Sequence, residues 1–136
     1  LDWANWFIVR IMSYKQYVQY AVFAAEQVID YYEKHCPDDK RPRKAIDAAK
    51  LCLEKPSKEN KAAAGAAYAT VGAAAFTAYA AAYAAAYAAA YAAAYSANSA
   101  AARAAYVAAD SAVYTAGAAA LKTIIEYGIT LLKAEA

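Results

Sequence analysis

The most constraining feature of this sequence is the run YAAAYAAAYAAAYAAAY, in which a tyrosine recurs at every fourth position from 79 to 95. Alanine lies at every position between, and it is the best helix former because ordering it costs no side-chain entropy. Since an α-helix turns about 100° per residue, each tyrosine lies about 40° further round than the last. This tyrosine stripe therefore winds around its helix, which counts against a flat ice-binding face.

The alanine-rich stretch could in principle cross a membrane, because no charge interrupts it from Ala62 to Ala102. Membrane insertion is driven by Leu, Ile, Phe and Val, and this stretch holds only Val71 and Phe76 from that set. Methyl side chains instead let helix axes approach to the short end of the usual range, about 8–10 Å. The sequence predicts a packed scaffold and no membrane insertion, with tyrosines filling gaps or forming an aromatic surface.

The chain of 136 residues suits one domain, residues 1–136, with two compositional halves. Residues 1–61 hold 11 of the 14 basic and 9 of the 12 acidic residues, and residues 62–136 form the alanine-rich half. A formal net charge of +2 gives no electrostatic reason to expect a nucleic acid polymer as partner. Cys36 and Cys52 have no metal-binding spacing, so we expect free thiols in a cytoplasmic protein. The opening LDWANWFIV has no secretion-signal pattern.

Helix boundaries can be predicted from capping residues and prolines. Ser13 and Gln16 form a capping-box pattern that predicts a helix from about Tyr14 to Lys34. The segment HCPDDKRPR should end that helix and place Pro42 in the first turn of the next one. That next helix should end before Pro56, with Ser57 as the following cap. The tail should form helices near 58–95, 99–116 and 118–133, broken at SANS and at Gly117.

The most informative polar stretch is PDDKRPRKAIDAAK. Arg41 and Arg43 could clamp an anionic group, or Asp38 and Asp39 could meet a basic partner. A purely structural interpretation is also open: the acids cap the following helix, and Arg43 pairs with Asp47 four residues on. The earlier helix carries Glu26, Asp30 and Glu33 on roughly one face, and these could receive the arginines across the turn.

No catalytic constellation is present in the sequence. His35 is the only histidine, so no Ser or Cys triad can be assembled, and its place before a proline turn favours a structural role. Gly65 and Gly72 lie within an alanine-rich helix without a preceding strand, so they do not form a phosphate-binding loop. We predict no enzymatic activity, no cofactor and no metal site.

The segment AAEQVID followed by PDDKRPRKAIDAAK and an alanine-rich tail resembles the immunity proteins of bacteria and their phages, a group also described as a fifth-immunity-protein-like domain. The resemblance runs from about Val18, and its sharp motif lies between Pro37 and Lys50. The matching residues are Glu26, Pro37, Asp38, Asp39, Arg41, Pro42, Arg43, Ala45, Ile46, Asp47, Ala48 and Ala49. Many members carry histidines in the alanine-rich half, where this chain has Tyr106, Asp110, Ser111 and Tyr114.

The resemblance implies a small helical protein that binds and neutralises a toxin or a defence effector without chemistry of its own. We therefore predict an all-α, single-domain bundle of five or six helices around the long Ala/Tyr-rich helix. The predicted partner-binding residues are Asp38, Asp39, Arg41, Arg43, Tyr83, Tyr87 and Tyr91, and the predicted structural polar cluster is Glu26, Asp30 and Asp47. Two alternatives stay open: a sink for a nucleotide messenger, using tyrosine stacking and arginine–phosphate pairing, and a homodimer formed through the tyrosine stripe.

Overall fold

The fold is described from a computed structural model. It describes residues 2–71, 88–94, 104, 106–111 and 116–134. These residues are all-helical, with no β-strand among them. Six helices have defined bounds: α1 (Asp2–Ile11), α2 (Tyr14–Glu26), α3 (Ile29–His35), α4 (Arg41–Glu54), α5 (Lys58–Val71) and α6 (Ala118–Ala134). Residues 88–94 and 106–111 are also helical.

The predicted all-α class is confirmed. The finer prediction, five or six helices around one long Ala/Tyr-rich helix, stays a prediction because residues 72–87 and 95–103 lie outside the described ranges. The SANS interruption lies there as well. Within the described ranges, no helix combines the length and the apolar character that crossing a membrane requires.

Most of the predicted helix boundaries are confirmed. The Ser13 hydroxyl accepts from the Gln16 backbone N–H, while the Gln16 side chain accepts from the Ser13 N–H, which completes the capping box. Pro42 lies in the first turn of α4, which ends at Glu54, before Pro56. Ser57 caps α5 by accepting the backbone N–H of Asn60. Local chemistry alone therefore sets these boundaries.

The predicted single helix from Tyr14 to Lys34 is wrong, because the chain breaks between α2 and α3. Val28 leaves the helical region at φ −127° and ψ −10°. Its N–H bonds to the carbonyl of Ala25, three residues back, so the last turn of α2 is tightened. Val28 and Ile29 are both fully buried, which indicates that burial of adjacent apolar side chains outweighs helix continuity here. No glycine or proline announces this break in the sequence.

The core is organised around α2, which buries eight of its residues. It packs against α3, α4 and α6, while α5 packs against α4 and α1 packs against α6. Many of the residues that close this core are alanines, and their small side chains allow the helices to approach closely. Fully buried examples are Ala21, Ala24, Ala25, Ala45, Ala49 and Ala64.

Residues 88–94 show how the alanine repeat packs where it is described. Five of its alanines, at 88, 89, 90, 92 and 93, are buried, and they span about 200° of the helix circumference. Tyr91 and Ala94, on the remaining side, are half-buried. A helix segment that is apolar on all sides and exposed on none of them belongs to a protein interior. Tyr14 donates a hydrogen bond from its hydroxyl to the Ala93 carbonyl, at 2.8 Å. This part of the repeat is therefore core.

At two positions in the C-terminal part, the structure favours glycine, for a different reason at each. Gly117 has φ +80°, a left-handed conformation that glycine adopts without steric cost, and it precedes α6 as the sequence predicts. Gly128 lies within α6 where a Cβ atom would stand 2.7 Å from Ile8 Cδ1 and from Tyr20 Cε2. A glycine at this position lets α1, α2 and α6 approach one another at one point.

Candidate functional site

The segment Pro37–Lys44, which we call the charged turn, comprises the connection after α3 and the first turn of α4. The N–H of Cys36 closes α3 on the carbonyl of Tyr32 at 2.8 Å, and the N–H of Asp39 then bonds to the Cys36 carbonyl. Pro42 is fully buried at the start of α4. The turn is thus attached to the core on its α4 side, while most of its other side chains face solvent.

Asp39 holds the turn together. Its carboxylate accepts hydrogen bonds from the Tyr32 hydroxyl (2.8 Å) and from Nε and Nη2 of Arg41 (2.9 and 2.6 Å). It also accepts the backbone N–H of Arg41 at 3.0 Å, the contact that turns of this kind use two residues after an aspartate. The hydrogen-bonded Arg41 guanidinium holds the pKa of Asp39 well below its ordinary value. One acid of the turn thus accepts the first backbone N–H of α4, although the N-cap residue is Lys40, whose side chain makes no capping bond.

Arg43 joins α4 to α3. Its guanidinium donates to both carboxylate oxygens of Glu33, at 2.9 and 2.7 Å, and also to Asp30 at 3.1 Å. Bidentate pairs of this type fix both position and orientation. The hydrogen bond from Arg43 lowers the pKa of Glu33. The predicted contact from α4 across the turn to Asp30 and Glu33 is therefore confirmed.

Two of the predicted polar contacts are different in the structure. Arg43 bonds to α3 and not to Asp47, because the tertiary packing brings two carboxylates to its guanidinium. Asp47 is exposed and forms no ion pair among the described residues. Glu26 pairs with Lys50 and not with either arginine of the turn. The predicted cluster of Glu26, Asp30 and Asp47 is therefore distributed over separate contacts.

The remaining charges of the turn point outward. Asp38, Lys40 and Lys44 are exposed, and with Asp39 and Arg41 they line an open depression. Lys40 and Lys44 belong to the stretch that the sequence singled out, although they were not among the predicted site residues. The Tyr32 hydroxyl was missed as well, because nothing local to a tyrosine seven residues before Asp39 marks it as a partner.

The three predicted tyrosine anchors are less fully described. Tyr83 and Tyr87 lie outside the described residues. Tyr91 is half-buried in the helical segment 88–94, and it is not among the residues that line the depression. The aromatic and the charged parts of the predicted binding surface are therefore not brought together by the described residues.

The histidine and the two cysteines of the chain can be placed among the described residues. His35 ends α3, and its Nδ1 lies 2.8 Å from the Tyr31 carbonyl, so the histidine is engaged with its own helix. Cys36 and Cys52 are free thiols, and burial raises the pKa of Cys52. Across the described ranges, no group of three or more His, Cys, Asp or Glu side chains is arranged to hold a metal ion.

Comparison of the chain with protein-family models, with curated proteins and with solved structures finds no match. The resemblance to the immunity proteins therefore stays a hypothesis, which rests on the residues between Pro37 and Lys50.

Proposed function

We propose that this chain is a non-catalytic binding protein that covers and neutralises a toxin or a defence effector. The charged turn supplies its polar contact surface. One observation carries the proposal: Asp39 and Arg43 fix the turn from within, while Asp38, Lys40 and Lys44 stay exposed beside them. A surface held in one conformation before binding loses less entropy when the partner arrives.

The long Ala/Tyr-rich helix at the centre of the bundle belongs to the same proposal. It serves as a rigid scaffold, and Tyr83, Tyr87 and Tyr91 act as aromatic anchors where their rings reach the surface, since tyrosine is favoured at protein interfaces. The free thiols suit a reducing compartment, so we place this activity in the cytoplasm.

The alternative function, sequestration of a nucleotide messenger, would require the arginines of the charged turn to bind phosphate. Phosphate binding would use Arg41 and Arg43, yet both guanidiniums already hold carboxylates of this chain. A phosphate would have to displace Asp39 or Glu33, and the turn would loosen as it bound. Protein binding through the exposed lysines requires no such exchange, which is why we prefer it.

The first experiment tests the surface by charge reversal. The affinity-tagged protein is expressed in its native host, and captured partners are cross-linked and identified. We expect the double variant Lys40→Glu/Lys44→Glu to lose the partner, because it reverses the exposed charges without touching the contacts of Asp39 or Arg43. Lys58→Glu, an exposed lysine at the start of α5, is the matched control. Capture that survives the double variant would remove the charged turn from the interface.

The second experiment separates the two functions. In a thermal-shift screen of nucleotides, including cyclic dinucleotides, a ligand at 100 times its dissociation constant would stabilise the fold by about 2.7 kcal/mol. We expect no shift. A clear upward shift that disappears in an Arg41→Gln variant would contradict protein neutralisation and favour the nucleotide sink.

A further inference from the structure

A second surface, on α1, stands apart from the charged turn. We call it the aromatic face: the side chains of Trp3, Trp6, Phe7, Arg10 and Ile11. All five are exposed on one side of the helix. The opposite side of α1 is buried in the bundle through Asn5, Ile8 and Val9. The helix is thus largely apolar around its whole circumference, while only half of that circumference is covered.

The side chains of the aromatic face contact one another. The rings of Trp3 and Phe7, four residues apart, stack with centroids 5.4 Å apart and planes 11° from parallel. The guanidinium of Arg10 lies 4.2 Å from the centroid of the Trp6 ring. One column of the face is therefore wholly apolar, from Trp3 through Phe7 to Ile11. The second column carries the cation.

The exposed area is large for one short helix. Trp3, Trp6, Phe7 and Ile11 are 71%, 45%, 43% and 54% exposed. Since a large aromatic side chain can present about 150–250 Å², these four leave roughly 450 Å² of mostly apolar surface. The largest apolar patch on a typical soluble monomer covers about 300–600 Å² and is often an interaction site, and this face lies in that range.

We propose that the aromatic face is a self-association surface, which a second copy of this chain covers by packing its own α1 in the antiparallel direction. Pairing centred between Trp6 and Phe7 sets the Arg10 of one copy beside the Trp3 ring of the other. Phe7 of each copy then meets Trp6 of the other. The cation-bearing column of one copy thus faces the apolar column of the other, and guanidinium and indole attract each other in that arrangement.

The area agrees with a weak dimer. Two such faces together remove roughly 900 Å² from water, which is less than the about 1,200–2,000 Å² of stable specific interfaces and is typical of weak, transient ones. Interfaces of this size give Kd values in the micromolar range or weaker, because association must first offset lost translational and rotational freedom.

Charge argues against a lipid surface as the occupant. Interfacial helices present several Lys or Arg residues to the lipid headgroups beside their apolar face. The only basic residue of α1 is Arg10, so this helix presents a single cation. This inference is independent of the proposed function, because no residue of α1 lines the depression at the charged turn.

The two tryptophans make the proposal directly measurable, since they are the only ones in the chain and both lie on this face. Sedimentation velocity of the full chain is recorded over a dilution series, together with tryptophan emission. We expect the average mass to rise with concentration from monomer to dimer, and the emission maximum to shift to shorter wavelength in parallel.

Two variants test the contact itself. Trp3→Lys sets a second cation opposite Arg10 and should weaken association at least tenfold, which is about 1.4 kcal/mol. Arg10→Glu should weaken it too, by removing the cation from both tryptophans, and it keeps the test valid if Trp3→Lys fails to fold. Leu51→Lys, which replaces an exposed leucine of α4, is the matched control and should leave association unchanged.

Three results would overturn the proposal. The first is a chain that stays monomeric at every concentration. The second is a dimer that both α1 variants retain. The third is tryptophan emission that is insensitive to protein concentration but shifts when vesicles of neutral or anionic phospholipid are added, which would assign the aromatic face to a membrane surface.

Discussion

Polar side chains form contacts in both the interior and the charged turn. The contacts of the interior are between neutral, buried groups, whereas those of the charged turn are between charged, partly exposed groups. In the interior, the Tyr20 hydroxyl donates to Asn5 Oδ1 at 2.9 Å, and Asn5 Nδ2 donates to the Tyr106 carbonyl at 3.3 Å. Gln16 Nε2 donates to the Leu131 carbonyl at 2.9 Å. The side chains of Asn5, Gln16 and Tyr20 are neutral and almost completely inaccessible to solvent. The contacts of Asp39 and Arg43 are ion pairs between partly solvent-exposed side chains.

This difference shows which network determines stability. A buried polar group that loses its partner costs about 1–3 kcal/mol, because no water replaces the lost bond. An exposed ion pair contributes only about 0–1 kcal/mol, since water and salt screen both charges. The interior contacts therefore hold the fold, while the charged turn contributes a defined surface shape at little energetic benefit. The predictions below test this comparison.

The largest effect should come from Gly128→Leu. A side chain at this position would collide with Ile8 and with the ring of Tyr20, whose hydroxyl must stay aligned with Asn5. We expect a loss of about 3 kcal/mol or more in the free energy of unfolding, measured by urea denaturation. Ile129→Leu, at the exposed neighbouring position, is the control. A stable Gly128→Leu variant would mean that the three helices are not in close contact there.

Tyr20→Phe removes one hydroxyl and leaves the buried Asn5 carbonyl oxygen without its donor. We expect a loss of about 1–3 kcal/mol in the same measurement. Tyr31→Phe is the control, because Tyr31 is 43% exposed. Equal losses in the two variants would contradict the comparison, since they would mean that burial does not raise the cost of losing a tyrosine hydroxyl.

Arg43→Gln breaks the ion pairs between α3 and α4 and should cost at most about 1 kcal/mol at pH 7. The effect should depend on pH. Because the hydrogen bond from Arg43 lowers the pKa of Glu33 in the folded state, this stabilisation is present above the unfolded carboxyl pKa, about 4. It is lost as pH falls from there through the folded pKa of Glu33.

The stability difference between wild type and Arg43→Gln should therefore begin to shrink below about pH 4 and should vanish once Glu33 is protonated in the folded state. Thermal melts across pH 2–7, at constant ionic strength of about 0.1 M, provide the measurement. A gap between the two proteins that widens in acid would contradict the assignment of Glu33 as the partner of Arg43.

The smallest effect should come from Asp47→Asn, which we expect to stay within about ±0.5 kcal/mol of the wild type. Asp30→Asn, which removes a real but exposed partner of Arg43, should cost slightly more. If Asp47→Asn were the more costly of the two, the pairing of Arg43 with Asp47 predicted from their spacing would be favoured over the contact with α3.

Helix class and most helix ends could be predicted because their causes are local. Ser13, Ser57, Pro42 and Gly117 act on backbone groups within about four residues, so their chemistry can be read directly along the chain. The bond from the Arg41 N–H to Asp39, two residues before it, was predictable for the same reason.

The contact surfaces could be predicted only in part. The composition of PDDKRPR indicated a polar surface, and a contact across the turn was expected for Asp30 and Glu33 as well as for Glu26. Which base each acid takes could not be read from spacing, because Arg43 has carboxylates within reach on its own helix and on α3. The exposure of Trp3 and Trp6 was equally hidden, since an apolar helix usually indicates burial on every side.

The sequence by itself determined that this chain is helical and where several of its helices begin and end, because helix propensity and capping depend on covalent neighbours. Only the tertiary structure decided the break at Val28, the partner of Arg43, the close approach at Gly128 and the face of α1 that stays uncovered. These features depend on which helices meet, and that choice comes from burying apolar surface summed over the whole bundle, a quantity that no local pattern contains.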